Sequence, residues 1–208
     1  MDAEAWDERY AATDLIWSAG PNQFVEAECA DLPPGRALDL AAGEGRNAIW
    51  LARRGWDVTA VDFSRVALEK GRTLAGSTGS AATGGIEWVC ADATTWSRPD
   101  SYDLVVIAYL QLPADQRRAA VGAGFAALRP GGTLLVVGHD TTNLTEGTGG
   151  PQDASVLMTA QDVLDDLEDK EIDVVRAERV ERLVTGEDEH GGETARTAYD
   201  ALVRLRRR

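Results

Sequence analysis

Two cysteines in 208 residues, Cys29 and Cys90, lie far apart with no C-x-x-C pair. That spacing argues against a disulfide framework and against a zinc or iron–sulfur site, and both thiols read as small buried hydrophobes. No run of about 18 apolar residues is present, so no membrane span is expected. The acidic, aromatic opening MDAEAWDERY is unlike a signal peptide, and the expectation is a cytoplasmic protein without a membrane partner. Positive charge is scarce, at 21 Lys and Arg against 35 Asp and Glu, for a net charge of −14. Phosphate backbones need a concentrated basic face, so a nucleic-acid partner is not expected. The one basic cluster, Arg204 with Arg206, Arg207 and Arg208, is short and reads as a solvated strand end. The acidic run Asp162, Asp165, Asp166, Glu168 and Asp169 lacks the glycine-centred loop of a calcium site. It reads as a solvated helix face, and no metal is expected.

What is present is enough apolar residue, 44%, for one core, and one organising stretch, Ala37 to Gly55. ALDLAAGEGRNAIWLARRG runs from alternating apolar residues through small residues and glycines into a helix-period run. That is strand, tight turn, helix. Gly43 and Gly45 allow a ligand close to the backbone, and the following helix turns its free N–H groups towards whatever fills the turn. A nucleotide-like ligand at the carboxyl edge of a parallel sheet follows. Gly43, Gly45 and Ala48 also fit the dinucleotide fingerprint G-x-G-x-x-[GA], and Asp62 supplies the acid about 20 residues on. Against that fingerprint stand Asp39, inside a strand that is usually apolar, and the roughly 35 residues that precede the strand.

In order, the first thirty residues read as two short helices, punctuated by Trp6, Tyr10 and Trp17, with PNQFVEAECA as the second. Trp56 to Val61 is a strand ended by Asp62, and Ser64 caps a helix through Lys70 to Leu74. Gly76 to Gly85 reads as a flexible surface loop. Ile86 to Cys90 is a third strand. The eleven residues from Ala91 to Ser101 reach roughly 36 Å when extended, enough to cross three strand spacings of about 14 Å without a helix. YDLVVIA is the fourth strand, Pro113 to Leu128 a helix terminated by Arg129-Pro130-Gly131-Gly132, and Thr133 to Gly138 the fifth strand. HDTTNLTEGTGGPQD is long enough to be functional or mobile, and its glycines suggest a lid. Thr159 caps a short helix ending near Lys170. Glu171 to Val184 and Thr194 to Leu205 form an antiparallel hairpin.

With Asp39-Leu40-x-x-Gly43-x-Gly45 and an acid closing strand two, the chain resembles the class I S-adenosylmethionine (SAM) dependent methyltransferases. The WDERY opening resembles the segment that folds over the cofactor in the tellurite-resistance and thiopurine branch. The resemblance implies a Rossmann-like, doubly wound α/β sheet of seven strands, mostly parallel, with an antiparallel strand in the C-terminal hairpin. It also implies one domain over 1–208, with 1–35 a helical cap and 36–208 the α/β core.

It further implies SAM as cofactor and S-adenosylhomocysteine (SAH) as product. Asp62, with Phe63 beside it, would accept bonds from the ribose hydroxyls. Asp92 would meet the adenine amino group and the Ala93 backbone the ring edge. Asp39 and the backbone at Ala41 and Gly43 would face the methionine end, where a carboxylate satisfies an ammonium. Gly45 completes the turn, Trp6 and Tyr10 cover it, and Ala108 and Tyr109 sit where the methyl emerges. His139 is the candidate general base, with Tyr109 and Gln111 as acceptor contacts; His190 falls in an acidic turn. The expected partner is a small-molecule acceptor, since the N-P-P-Y signature of many amino-methylating nucleic-acid enzymes and any Pro-Cys dipeptide are absent. A protein or RNA acceptor, a nicotinamide dehydrogenase and a non-catalytic SAM sensor are the alternatives.

Overall fold

A computed structural model describes residues 3–13, 15, 20–77, 84–187 and 193–208. Trp17, most of the Gly76–Gly85 loop and His190 lie outside the described residues. The elements in chain order are α1 (Ala3–Ala11), α2 (Gln23–Cys29), β1 (Arg36–Leu40), α3 (Arg46–Arg53), β2 (Asp57–Asp62), α4 (Arg65–Ser77) and β3 (Ile86–Cys90). There follow β4 (Tyr102–Ala108), α5 (Ala114–Ala127), β5 (Leu128–His139), α6 (Ala160–Asp165), β6 (Ile172–Glu187) and β7 (Glu193–Arg207). One sheet of seven strands runs β3-β2-β1-β4-β5-β7-β6. β1 to β5 pair in parallel, and β7 lies antiparallel between β5 and β6. The order reverses between β1 and β4, the place in an open α/β sheet where a crevice forms beyond the carboxyl ends.

Alternation of side chains makes both faces apolar. Leu38, Leu40, Val105, Ile107, Leu134 and Val136 pack on one face, with Val121 and Phe125 of α5. Ala37, Val58, Ala60, Leu104, Val106, Leu135 and Val137 pack on the other, with Val25, Cys29, Leu51 and Ala52 of α2 and α3. Strands buried on both faces read as continuous apolar runs, as β4 and β5 do. The link from β3 to β4 crosses without a helix, turning at Asp92, whose carbonyl accepts from Thr95 and Trp96.

Several local expectations are corrected. Arg129-Pro130-Gly131-Gly132 does not separate helix from strand. Leu128 is already extended and pairs with Tyr102, so the four residues form an irregularity inside β5, with Gly131 at φ 81°. Asn22, not Pro21, starts α2, its side-chain oxygen accepting from Phe24 and Val25 at 2.9 and 3.2 Å. Cys29 is buried, but Cys90 is exposed because β3 is an edge strand. Asp166 leaves the solvated acidic face: it is buried and held by Arg117 at 2.7 Å and Arg118 at 3.3 Å. The stretch after β5 is tied within itself and to β7 by hydrogen bonds. Asp140 caps a short 3-10 turn, Asn143 accepts from the Tyr199 N–H at 2.8 Å, and the Thr148 N–H donates to Thr197 at 3.0 Å.

Candidate functional site

The carboxyl ends of β1, β2 and β4, with the link after β3, frame a cleft lined by Ala41, Gly43, Asp62, Phe63, Asp92, Ala93, Ala108 and Tyr109. Trp6 and Tyr10 of α1 line it from above. Ten of the thirteen residues singled out from the sequence therefore meet at one place. α1 is fastened there by Asp7, which accepts from the Ser64 hydroxyl and from the Val66 N–H at 3.3 Å, at the start of α4. The Lys70 ammonium donates to the carbonyls of Tyr10 and Thr13. The cleft beside α1 has a volume of about 100 Å³.

The turn after β1 is built on left-handed backbone, with Ala41 at φ 65°, Gly43 at 56° and Gly45 at 74°. A non-glycine residue in that region costs about 1–2 kcal/mol. Ala41 and Tyr109, at φ 58°, both carry that strain and both line the cleft, as strained residues at functional sites do. Asp62 locks the turn: one carboxylate oxygen accepts from the Gly43 N–H at 2.8 Å and the other from the Ser64 N–H at 2.9 Å. Burial raises the Asp62 carboxyl above its usual range, against the hydrogen bonds from Ser64 and Gly43. Asp92 accepts from the N–H and hydroxyl of Thr94, both at 2.8 Å.

Three predicted site residues do not line the cleft, one of them, His139, lining the neighbouring cavity instead. Asp39 sits beneath it at 1% exposure. One of its oxygens accepts from the Ala48 N–H of α3 at 3.0 Å, and the other has no hydrogen-bond partner. Burial pushes the Asp39 carboxyl up to about 7, opposed by the Ala48 bond and by Arg46. Gly45 faces away: a Cβ there would strike the indole of Trp88 on β3. Its glycine serves helix–sheet packing rather than ligand approach.

Next to this cleft lies a wider cavity of about 590 Å³. Arg46, Tyr109 and Gln111 line both spaces, and His139 and Arg182 line only the second. Behind them Asp200 on β7 is fully buried. It pairs across the sheet with His139, and its carboxylate lies 3.4 Å from His139 Nδ1. It also accepts from the Tyr109 hydroxyl at 2.8 Å and from Arg182 Nε at 2.7 Å. Burial would raise the Asp200 carboxyl, but His139, Arg182 and Tyr109 together hold it below its ordinary value. Tyr109 is driven the other way, up, by burial and by Asp200. Its ring packs against the imidazole at 4.7 Å between centroids. Among the described residues no group of three or more His, Cys, Asp or Glu could hold a metal.

Sequence reasoning missed Asp7, Arg46, Arg182 and Asp200. Asp200 had a signal, an acid inside the apolar stretch from Ala198 to Val203 of β7. Arg182 had none, being one of several arginines on a polar edge strand.

The sheet order and the cleft define the class I methyltransferase fold. An antiparallel β7 inserted between β5 and β6 sets it apart from the dinucleotide-binding order 3-2-1-4-5-6. Residues 37–132 match a family described as a methyltransferase domain. The demethylmenaquinone methyltransferase of Clavibacter sepedonicus is 33% identical over 138 residues, covering 64% of this chain and 54% of that protein. The chain thus spans about half the length of the curated relatives it matches. Among solved structures, the N-methyltransferase NodS from Bradyrhizobium japonicum WM9, in complex with SAH, superposes with a TM-score of 0.71 at 18% identity, covering 100% of this chain and 99% of that one. TehB from Haemophilus influenzae superposes with a TM-score of 0.72 at 17% identity, covering 99% and 67%. Such identities carry the fold alone, so the chain is not assigned to the tellurite-resistance and thiopurine branch. NodS was solved with SAH, and another structural neighbour, magnesium protoporphyrin IX methyltransferase from Synechocystis PCC 6803, with bound SAM. Among the described residues no helix is long and apolar enough to cross a membrane.

Proposed function

We propose that this chain transfers the methyl group of SAM to a small-molecule nucleophile. The observation that carries the reading is the bare oxygen of Asp39, buried and without a donor, under a turn beside which β2 ends in Asp62 and the link after β3 presents Asp92. An unpartnered buried carboxylate oxygen is costly and calls for a cation or a donor. The α-ammonium of a methionine moiety is such a group. In this reading Asp62 takes the ribose hydroxyls on lone pairs left over from Gly43 and Ser64. Asp92 and the Ala93 backbone take the adenine. The Ala41 and Gly43 backbone accommodates the methionine end, Phe63 and Trp6 cover the base, and Tyr10 closes the cap. Residues 1–35 act as the cap of a single catalytic domain.

Bound SAM supplies a sulfonium methyl: the acceptor lone pair bonds to the methyl carbon while the carbon–sulfur pair passes to sulfur, leaving neutral SAH. The protein contributes alignment, which can be worth about 7 to 11 kcal/mol when the reacting atoms are held in line. Ala108 and Tyr109, leaving β4 at the wall between the two spaces, border the place of transfer. A neutral acceptor must also shed a proton. His139, which lines the neighbouring cavity with its Nδ1 3.4 Å from the Asp200 carboxylate, is the residue that takes it. Tyr109 is no base, because its proton is held by Asp200.

Incubating the protein with methyl-labelled SAM and a panel of small thiols, phenols, amines and acids should yield SAH and a labelled small product. Transfer only to protein or RNA would select the macromolecular reading. SAM binding without turnover on any acceptor would leave a sensor.

A further inference from the structure

The larger cavity has a charge that the rest of the chain does not. Acids outnumber Lys and Arg by 35 to 21, yet the described lining contains Arg9, Arg46, Arg182 and His139 and no carboxylate. The nearest acid behind it is Asp200, which is fully buried and already engaged by Arg182, Tyr109 and His139. Asp39 and Asp62 lie on the cofactor side of Arg46. At the back of the cavity Asp200 meets Arg182 and lies beside His139, Arg46 is shared with Asp39 on the cofactor side, and Arg9 adds a further guanidinium to the lining. Arg9 is exposed and stacks over Trp6 at 5.0 Å. A low-dielectric recess lined by one sign of charge concentrates ligands of the opposite sign. Guanidinium forks match planar or tetrahedral oxyanions with paired hydrogen bonds.

Building on the proposed methyl transfer, we infer that the acceptor is an organic anion, a small carboxylic acid or phosphate ester. Its charged group lies against Arg46 and Arg182 and passes Arg9 on entry. The cavity, about 590 Å³, falls within the roughly 300–1,000 Å³ of small-molecule sites. It shares Tyr109 and Gln111 with the cofactor cleft, so an anion anchored at the arginines can extend its nucleophilic atom towards the methyl. The anionic group is a handle: oxygens that accept from guanidiniums are poor nucleophiles, and the methylated atom is a different one.

The test is calorimetric titration of the SAH-loaded protein with glutarate, tricarballylate and phenyl phosphate, against glutaramide, tricarballylamide and phenol. At least one anion should bind saturably and about tenfold or more tightly than its neutral partner, the loss expected when a charge-assisted bond is removed. Carboxylate against phosphate in the same panel tells the two sources apart. Arg182→Gln and Arg9→Gln should each weaken the anion several-fold while SAH still binds. Arg9→Gln, on an exposed helix position, keeps the test informative should loss of the buried Arg182–Asp200 pair unfold the protein. Equal binding of neutral and anionic members, no saturable binding by any anion, or affinities unmoved in both variants would overturn the inference and leave the methyltransferase reading intact. Failure of SAH itself to bind the unmodified protein would overturn both.

Discussion

Asp39 carries one hydrogen-bonded oxygen and one bare one, and at 1% exposure burial raises its pKa to about 7. Its folded-state pKa, about 7, lies above the ordinary 3.8. The folded protein therefore holds this proton more tightly than the unfolded chain does. The sign follows: stability is greatest below the lower value and declines as pH rises through the higher one. Asp39→Asn keeps an acceptor for Ala48 and removes the charge. The variant should melt above the parent at about pH 8 and close to it near pH 4, checked by thermal unfolding across that range. It should also bind SAH about tenfold or more weakly, the scale of a lost charge-assisted bond. A variant that gained stability and kept full affinity would separate Asp39 from the ligand. At the other end of the site, His139→Gln should lower kcat for a neutral acceptor by about 10²-fold or more while the SAH Kd stays unchanged, as measured by steady-state kinetics and titration. An acceptor that is already ionised at its nucleophilic atom should be far less affected.

At the scale of the element, the turn and helix after β1 answer to two masters. Gly43 serves the cleft, and Gly45 serves the contact between α3 and β3. Gly45→Ala forces a Cβ into the Trp88 indole at φ 74°. It should cost about 1–3 kcal/mol for the backbone conformation and a comparable amount for overpacking, read from urea midpoints, with SAH affinity in the folded fraction little changed. α1 is a cap held by side chains rather than by sheet, lying over one side of the cleft. Asp7→Ala removes one fastening, so stopped-flow binding should show SAH association and dissociation both accelerated and their ratio moved little. The elements were largely readable from sequence. Apolar runs in β4 and β5, Ser64 as the cap of α4, and the terminal hairpin all follow local rules. β5 was misread at its start because Pro130 and two glycines signal a break. Pairing of Leu128 with Tyr102 overrides that signal, and such pairing depends on a strand 26 residues earlier.

For the whole molecule, the switch in strand order between β1 and β4 places the cleft, and the return of β7 against β5 places the wall behind it. A ligand that binds only this assembled state stabilises it. SAH at a hundredfold over its Kd should add about 2.7 kcal/mol to unfolding, and NAD at the same concentration should not; equal shifts would return the chain to the dinucleotide reading. By itself the sequence determined the strand–turn–helix at Ala37 to Gly55 and the acids at or just beyond the strand tips, and from these the expectation of a nucleotide-like ligand at the sheet's carboxyl edge. These depend on local periodicity and on residues that lie close along the chain. Only the tertiary structure decided the second cavity, because Arg9, Arg46, His139, Arg182 and Asp200 come from five separate elements. No short-range pattern records that folding gathers them around one cavity.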